Sequence, residues 1–243
     1  MNINSYEFSE VYDILMKDVP YEKWVKLIDK LMNKKRDLLE IGCGTGELTK
    51  ILGNKNYKIT AVDSSENMLV KAYEKLRTMP NISIMKGDGR KFSIDKKFDG
   101  VLSSCDVVNY MLKKEDLHNF LKNSYEVLNK DGIIIFDLSS YSKLKNTLGN
   151  NIFINEEEGV FYSWENRFDE RNDLLEMTLN FFVKEKSMYR RITEEQIQRA
   201  YKIEEVVKEL NLIGFKDIRL FDNYKDVEPD EKSERIVFSA ARR

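Results

Sequence analysis

Residues 36–52 read RDLLEIGCGTGELTKIL, and this stretch decides the fold. An apolar run over 37–41 ends in a cluster of glycines, and apolar residues with helical spacing follow. The glycines are Gly42, Gly44 and Gly46. Such a pattern is typical of a strand, a tight turn and a helix, with the turn at the carboxyl end of the strand. Ligands of open α/β sheets bind at that edge, and glycines let the backbone approach them closely. The stretch therefore predicts a site for a nucleotide-like ligand.

The spacing of the glycines indicates which ligand. The dinucleotide fingerprint G-x-G-x-x-G requires a third glycine where this chain has Glu47. The string at 40–46, EIGCGTG, instead resembles the first motif of the class I S-adenosylmethionine-dependent methyltransferases. The resemblance implies that the loop holds the methionine part of the cofactor and that the acidic residue helps to hold the region of its ammonium group. The residues so assigned are Glu40, Gly42, Cys43, Gly44 and Gly46.

Two later segments match the same family. Asp63 ends the second predicted strand, 57–62, about twenty residues past the glycines, where a carboxylate can accept from ribose hydroxyls. The resemblance implies that Ser64 lies beside the cofactor and Met68 lies against its adenine. Asp88 and Gly89 follow the third predicted strand, and a fixed carboxylate there suits the adenine amino group. The alternatives are a helix cap for Asp63 and ordinary turn chemistry for Asp88.

The segment after the fourth predicted strand, 98–104, indicates where the acceptor binds. Strand four neighbours strand one at the switch point of the sheet, so its exit faces both the cofactor and the substrate. We assign Cys105 to the cofactor, and Asp106, Asn109 and Tyr110 to the substrate, with helix capping as the alternative. Methyltransferases of adenine N6 or cytosine N4 usually have [N/D]-P-P-[Y/F] here. This chain has Ser-Cys-Asp-Val, which disfavours those acceptors.

Two helices are predicted ahead of the first strand, over 7–17 and 20–31, from apolar residues at helical spacing. In the resemblance such helices lie over the cofactor cleft. Tyr12 then contacts the cofactor and Tyr6 the substrate; the alternative is that these tyrosines only pack.

The complete pattern predicts an α/β fold, a Rossmann-like seven-stranded methyltransferase sheet with its last strand antiparallel, flanked by helices. The cofactor-binding core comprises residues 1–138 and 201–243. Residues 139–200 differ, because apolar side chains alternate over 160–168 and 175–183, as in antiparallel strands. We interpret this insert as a substrate lid; the alternatives are an extra layer or a dimer surface.

Composition limits the function. The chain has 243 residues and a net charge of −2, so no overall basic field attracts nucleic acid or a membrane. No apolar run reaches a membrane span, and the amino terminus lacks a signal-peptide pattern. Cys43 and Cys105 are the only cysteines. A zinc site formed by them with His118 is disfavoured, since His118 lies on a separate predicted helix. We expect a cytoplasmic monomer or weak dimer without a metal.

The predicted activity is methyl transfer by in-line displacement from S-adenosylmethionine, giving S-adenosylhomocysteine, to a nitrogen or oxygen of a small molecule. No residue pattern identifies a catalytic base, so no catalytic residue is assigned. One alternative is an RNA or DNA acceptor bound by a basic face, formed by Lys184, Lys186, Arg190, Arg191 and Arg199. Another, of a different class, is a catalytically silent cofactor-binding protein.

Overall fold

The computed structural model describes residues 5–92 and 94–243, with side chains from Phe8 onward. Its helices are α1 Ser5–Leu15, α2 Tyr21–Met32, α3 Glu47–Asn54, α4 Glu66–Leu76, α5 Lys114–Val127 and α6 Ile203–Ile213. Its strands are β1 Asp37–Ile41, β2 Lys58–Asp63, β3 Ile82–Lys86, β4 Phe98–Ser103, β5 Leu128–Ser139, β6 Ile152–Glu157, β7 Val160–Asp169, β8 Leu174–Glu185, β9 Met188–Arg199, β10 Lys216–Asp222 and β11 Arg235–Ala241.

The main sheet has seven strands in the order β3-β2-β1-β4-β5-β11-β10. The pairs formed by β1 to β5 are parallel, whereas β11 is antiparallel to both β5 and β10. The strand order reverses beside β1, so the carboxyl ends of β1 and β4 flank the crevice in which such sheets bind ligands. The predicted seven-stranded sheet with an antiparallel last strand is confirmed.

Both faces of this sheet are covered, which explains why residues 38–41 of β1 are all buried. Leu39 packs in one core with Phe120 of α5, and the adjacent Leu38 packs in the other with Trp24 of α2. Successive side chains of a strand point to opposite faces, so β1 contributes to both cores. Packing in both cores fixes the position of β1, and therefore the position of the glycine turn that follows it at Gly42.

The insert forms a second, four-stranded antiparallel sheet in the order β6-β7-β8-β9. The alternation predicted for its strands is confirmed: Leu175, Met177, Leu179 and Phe181 of β8 are buried on one face, which we call the inner face. Phe8 and other apolar residues of α1 pack in the same cluster. The inner face is therefore turned toward α1, which places β8 and β9 beside the cofactor edge of the main sheet. The division of the chain into core and lid stays a prediction.

Some boundaries differ from those predicted. The sequence predicts strand five from Ile133, but β5 already begins at Leu128. Asp131 has a φ of 61°, a left-handed conformation that lets the strand continue through a polar, glycine-containing segment. Strand β6 was not predicted, because its exposed pattern has little apolar alternation. Within the ranges that the structure describes, no helix is long and apolar enough to cross a membrane.

Candidate active site

A cavity of about 750 Å³ lies at the carboxyl ends of β1, β2 and β4 and extends to β8 and β9. This volume is typical of pockets that enclose a small ligand. The cavity lies where open α/β sheets bind their ligands. The predicted residues that line it are Tyr12, Gly42, Gly44, Asp63, Ser64, Met68, Asp88, Gly89, Cys105 and Tyr110.

Other predicted residues lie elsewhere. Glu40 is buried beside the glycine turn, Cys43 and Gly46 belong to that turn, and Asp106 and Asn109 bond to other parts of the protein. None of the five lines the cavity. The side chain of Tyr6 lies outside the described part of the chain. The cavity therefore unites the predicted ribose, adenine and methyl-end residues but only one of the described candidates for the substrate.

The backbone amides of the glycine turn are used within the protein. Gly42 and Cys43 donate to the carbonyl of Val62 at 2.8 and 3.1 Å, and Gly44 donates to the Asp63 carboxylate at 2.8 Å. A pyrophosphate site would need such amides to be aimed at the ligand. The turn instead joins β1 to the end of β2, which suits a ligand without phosphates. The sequence analysis did not predict this arrangement.

Asp63 joins two elements of the site. One carboxylate oxygen accepts from Gly44 and the other accepts from the amide of Ser65 at 2.8 Å. Ser65 in turn caps α4 by accepting from the amide of Met68. Burial raises the pKa of the Asp63 carboxyl, and the backbone donors oppose that rise. A carboxylate held from two sides in this way is a fixed acceptor facing the cavity.

Gly44 lies directly beneath Tyr12. Its φ is 55°, and a Cβ added there would lie 3.6 Å from the tyrosine ring. A larger side chain would therefore enter the space between α1 and the turn. The left-handed backbone, which L side chains rarely adopt, explains why this position needs a glycine.

Replacing Gly44 with valine is expected to weaken S-adenosylhomocysteine binding by about 30-fold, or ~2 kcal/mol. The branched side chain would occupy the space beside Tyr12 and strain the left-handed backbone. Isothermal calorimetry measures the affinity. The matched control is Gly159→Val, because Gly159 has a φ of 76° and nothing within 4 Å of an added Cβ. Equal affinity losses in both variants would contradict the assignment of Gly44 to the cofactor.

Glu40 is almost completely enclosed, with 2% of its surface exposed. Its carboxylate accepts from the hydroxyl of Thr49 at 2.7 Å, at the start of α3. Burial raises the pKa of Glu40 to about 7, since the one hydroxyl donor only partly offsets the loss of water and Asp63 adds a like charge. The residue stands behind the turn, and the ammonium role implied by the resemblance stays a prediction.

This raised pKa predicts a pH dependence of stability. The folded protein holds the Glu40 proton more tightly than the unfolded chain does, so the free energy of unfolding should fall as pH rises. Between pH 5.5 and 8 the loss should be about 2 kcal/mol. Glu40→Gln keeps the bond to Thr49 and should abolish this loss. Urea unfolding without cofactor measures it, with Glu165→Gln on the exposed face of β7 as control. If the free energy of unfolding of Glu40→Gln fell with pH as steeply as that of the wild type, Glu40 would not be the cause of the pH dependence.

Asp88 is paired within its own turn. Its two oxygens accept from the Arg90 guanidinium at 2.9 and 2.8 Å, and this pair holds the pKa of the carboxyl below its ordinary value. Carboxylate oxygens have further lone pairs, so the pair still leaves an acceptor at the cavity wall. Arg90 also lines the cavity and fixes the orientation of Asp88.

The turn after β4 has an unusual backbone. Cys105 and Asp106 both have left-handed conformations, with φ values of 60° and 66°. Two consecutive non-glycine residues in this region are strained, and such strain requires support from the surroundings. The side chain of Asp106 supplies it by pairing with Arg235 of β11. Asp106 therefore positions Cys105 at the cavity.

A buried carboxylate completes this support. Asp137 of β5 has no exposed surface; it accepts from the Asp106 amide at 3.0 Å, the Arg235 guanidinium at 2.8 Å and the Tyr224 hydroxyl at 3.1 Å. Burial raises the pKa of Asp137. Burial acts in the same direction on Asp106, but Arg235 and Lys143 offset it and lower that pKa. We call Asp106, Asp137, Tyr224 and Arg235 the buried charge cluster.

Asn109 braces the insert against the sheet. Its side chain accepts from the amide of Ser139 at 2.9 Å and donates to the carbonyl of Arg199 at 2.9 Å, joining the end of β5 to the end of β9. Both partners are backbone groups, so this geometry favours a structural role over substrate contact.

Tyr110 is the candidate substrate residue that faces the cavity. Its hydroxyl donates to the side-chain oxygen of Gln196 on β9 at 2.6 Å, which ties the exit of β4 to the insert. The sequence reasoning missed several wall residues of β8 and β9. They are Glu176, Met177, Thr178, Glu194, Glu195, Gln196 and Ile197. The polar run at 193–196, Thr-Glu-Glu-Gln, follows the alternating apolar segments of the insert and is the signal that could have found part of this wall.

The cavity fits S-adenosylmethionine. The glycine turn offers close approach without an anion site, Asp63 is a fixed acceptor, and Asp88 follows at the adjacent strand end. Apolar side chains of Ile41 and Met68 complete this half of the cavity. Acceptors for hydroxyl and amine donors combined with apolar walls match the adenosine part of the cofactor.

Comparison with known proteins identifies the family. Residues 38–132 match the methyltransferase domain family model. YqeM of Bacillus subtilis, assigned to the methyltransferases, is 34% identical over 96% of this chain and 95% of its own length. A S-adenosylmethionine-dependent methyltransferase from Clostridium acetobutylicum has a solved structure that is 35% identical, with a TM-score of 0.87 and coverage of 97% of both chains. The sugar N-methyltransferase KedS8 of a Streptoalloteichus species shares the fold, at 18% identity, a TM-score of 0.77 and coverage of 100% of this chain and 95% of its own.

The fold and the cavity define a class I methyltransferase. The chain belongs to the S-adenosylmethionine-dependent methyltransferases. It is an enzyme of that class, and S-adenosylmethionine is its cofactor. The predicted family, activity and cofactor are confirmed.

Proposed function

We propose that the enzyme methylates a nitrogen or oxygen atom of a small molecule. The observation that carries this proposal is the wall of the cavity that β8 and β9 form. The predicted lid role of residues 139–200 rests on the same wall. An acceptor bound beside that wall and Tyr110 would contact both, as small ligands contact the walls of their pockets.

The charges of the cavity support a small acceptor over a nucleic acid. Among its described lining residues are five carboxylates and a single cation, Arg90, which is paired with Asp88. The carboxylates belong to Asp63, Asp88, Glu176, Glu194 and Glu195. Nucleic-acid sites instead need lysines and arginines that neutralise phosphates. A negatively charged cavity repels a phosphate backbone.

The basic residues considered for a nucleic-acid face are dispersed or engaged. Arg190 pairs with Glu10 and Glu185. Arg191, which lies on the opposite face of β9, donates a hydrogen bond to Asn180 of β8. Such pairing reduces the positive field that a phosphate backbone would meet. These contacts further support the small-molecule proposal.

In the proposed reaction the cofactor and the residues of the cavity have different roles. Bound S-adenosylmethionine supplies an electrophilic methyl group on a sulfonium. Gly44 and Asp63 would hold the cofactor, and Tyr110 would border the acceptor. The protein aligns the reactants and excludes water, which are effects worth several kcal/mol.

Two measurements test this function. Calorimetry should show that S-adenosylmethionine and S-adenosylhomocysteine bind to the purified protein. Methyl transfer from labelled cofactor is then followed into the low-mass filtrate and the RNA of a cell extract. We expect label in the filtrate. Label that accumulates only in RNA would overturn the small-molecule proposal and leave the methyltransferase class intact.

A further inference from the structure

Glu194 is the wall residue with the most unusual surroundings. It lies on the inner face of β9, directly opposite Leu179 of β8 and two residues from the buried Ile192. Only 6% of its surface is exposed, yet it lines the cavity. A carboxylate among apolar side chains is costly unless a partner compensates its charge.

No cation in the part of the chain that the structure describes supplies that partner. Among the described residues, no lysine, arginine or histidine nitrogen forms an ion pair with Glu194, whereas the neighbouring Arg190 is already held by Glu10 and Glu185. Burial and the like charge of Glu195 raise the pKa of Glu194, and a hydrogen bond from Gln196 opposes the rise. Among the described residues the carboxylate therefore has no cationic partner, and a positively charged ligand could act as one.

The neighbouring groups are arranged for a cationic ligand. Gln196 contacts Glu194 and also accepts from the Tyr110 hydroxyl, so the carboxylate is fixed from the β4 side. The rings of Phe8, Tyr12 and Tyr110 line the same cavity. Aromatic faces attract ammonium groups, and a desolvated carboxylate binds them strongly.

We propose that Glu194 binds the amine of the methyl acceptor, so that the substrate is an amine rather than an alcohol or a carboxylic acid. This inference rests on the proposed small-molecule function. Glu194 holds the acceptor as its ammonium ion and accepts one proton: an N–H bond breaks, an O–H bond forms on the carboxylate, and the electron pair stays on nitrogen. The neutral amine then has the lone pair that methyl transfer requires. Glu194, which lies on β9 of the insert, thus favours acceptors that carry a positive charge.

The experiment uses S-adenosylmethionine with a ¹³C-labelled methyl group and two fractions of a cell extract, the low-mass filtrate and the RNA. Carbon NMR separates N-methyl, O-methyl and S-methyl products by their chemical shifts. We expect an N-methyl signal with the wild-type enzyme. Glu194→Gln should lower its initial rate by about 30-fold, the loss expected when a buried ion pair worth ~2 kcal/mol is removed.

The control is Glu165→Gln, which removes the same charge from the exposed face of β7 and should keep the wild-type rate. Calorimetry with S-adenosylhomocysteine should give equal affinities for all three proteins, which shows that each is folded and has an intact cofactor site. An O-methyl product, or an N-methyl rate unaffected by Glu194→Gln, would overturn the assignment of Glu194 while the small-molecule function stands. Label found only in RNA would overturn that function itself.

Discussion

Replacing Arg235 with methionine is expected to lower the free energy of unfolding by about 3–5 kcal/mol, because fully buried Asp137 and partly buried Asp106 lose the cation that pairs with both. Only 16% of the Arg235 side chain is exposed, and it pairs with both Asp106 and Asp137. Urea or thermal unfolding at pH 7.5 measures the loss. Since Asp106 supports the strained turn at Cys105, we also expect weaker cofactor binding.

The chain offers a matched control on the adjacent strand. Arg219 of β10 also pairs with an aspartate, Asp226, and lies over an aromatic ring, Phe221, but 53% of its side chain is exposed. Arg219→Met should cost at most about 1 kcal/mol, as surface ion pairs do. Similar losses in both variants would show that burial is not the cause. Adding Asp106→Asn and Asp137→Asn to Arg235→Met should restore part of the stability, since the unpaired charges are then removed.

Replacing Asp63 with alanine is expected to weaken S-adenosylhomocysteine binding by about 1,000-fold, or ~4 kcal/mol. The carboxylate fixes both Gly44 and the start of α4 at Ser65, and it faces the cavity as a hydrogen-bond acceptor. Its removal therefore affects the shape of the site and its bonding together. Each bond to a charged acceptor contributes about 1.5–3 kcal/mol. Calorimetry measures the affinity, and circular dichroism monitors the fold.

Asp99 provides the control for this change. It accepts from the amides of Arg36 and Asp37 at 3.4 and 3.3 Å, near the amino ends of β1 and β4 and away from the cavity. Asp99→Ala removes similar backbone bonds at the opposite edge of the sheet, so it should reduce stability and leave the affinity unchanged. Affinity within tenfold of wild type in Asp63→Ala would contradict the role of Asp63 in cofactor binding.

Local pattern predicted much of this fold and part of the site. The strand at Asp37–Ile41 ends where the sequence predicts. Its apolar residues mark the strand, and the glycine cluster directly after them marks the turn that ends it. Asp63 and Asp88 were found in the same way, since each follows a recognisable strand. Position at a strand end is a local property, so sequence spacing can locate such residues at the cofactor edge of the sheet.

Contacts between distant residues were beyond such reasoning. Asp106 and Arg235 are separated by 129 positions, and no local pattern pairs them. Asp106 was predicted to contact substrate, whereas the structure holds its carboxylate in the buried charge cluster. Glu194 was missed because alternation gives the face of a strand but not what lies opposite that face. Asp137, a lone carboxylate in an apolar strand, was a sign of a buried partner without indicating which one.

The position of strand β11 in the sheet affects how the enzyme folds during its synthesis. It lies between β5 and β10 and carries Arg235, so two other strands and the turn at Asp106 depend on a segment that is synthesised after β1 to β10. Long-range pairing of this kind forms late. On the ribosome, the nascent chain can assemble β1 to β4 early, but the buried charge cluster stays incomplete until residue 235 has emerged. We therefore expect the complete cofactor site to form only after β11 has been synthesised.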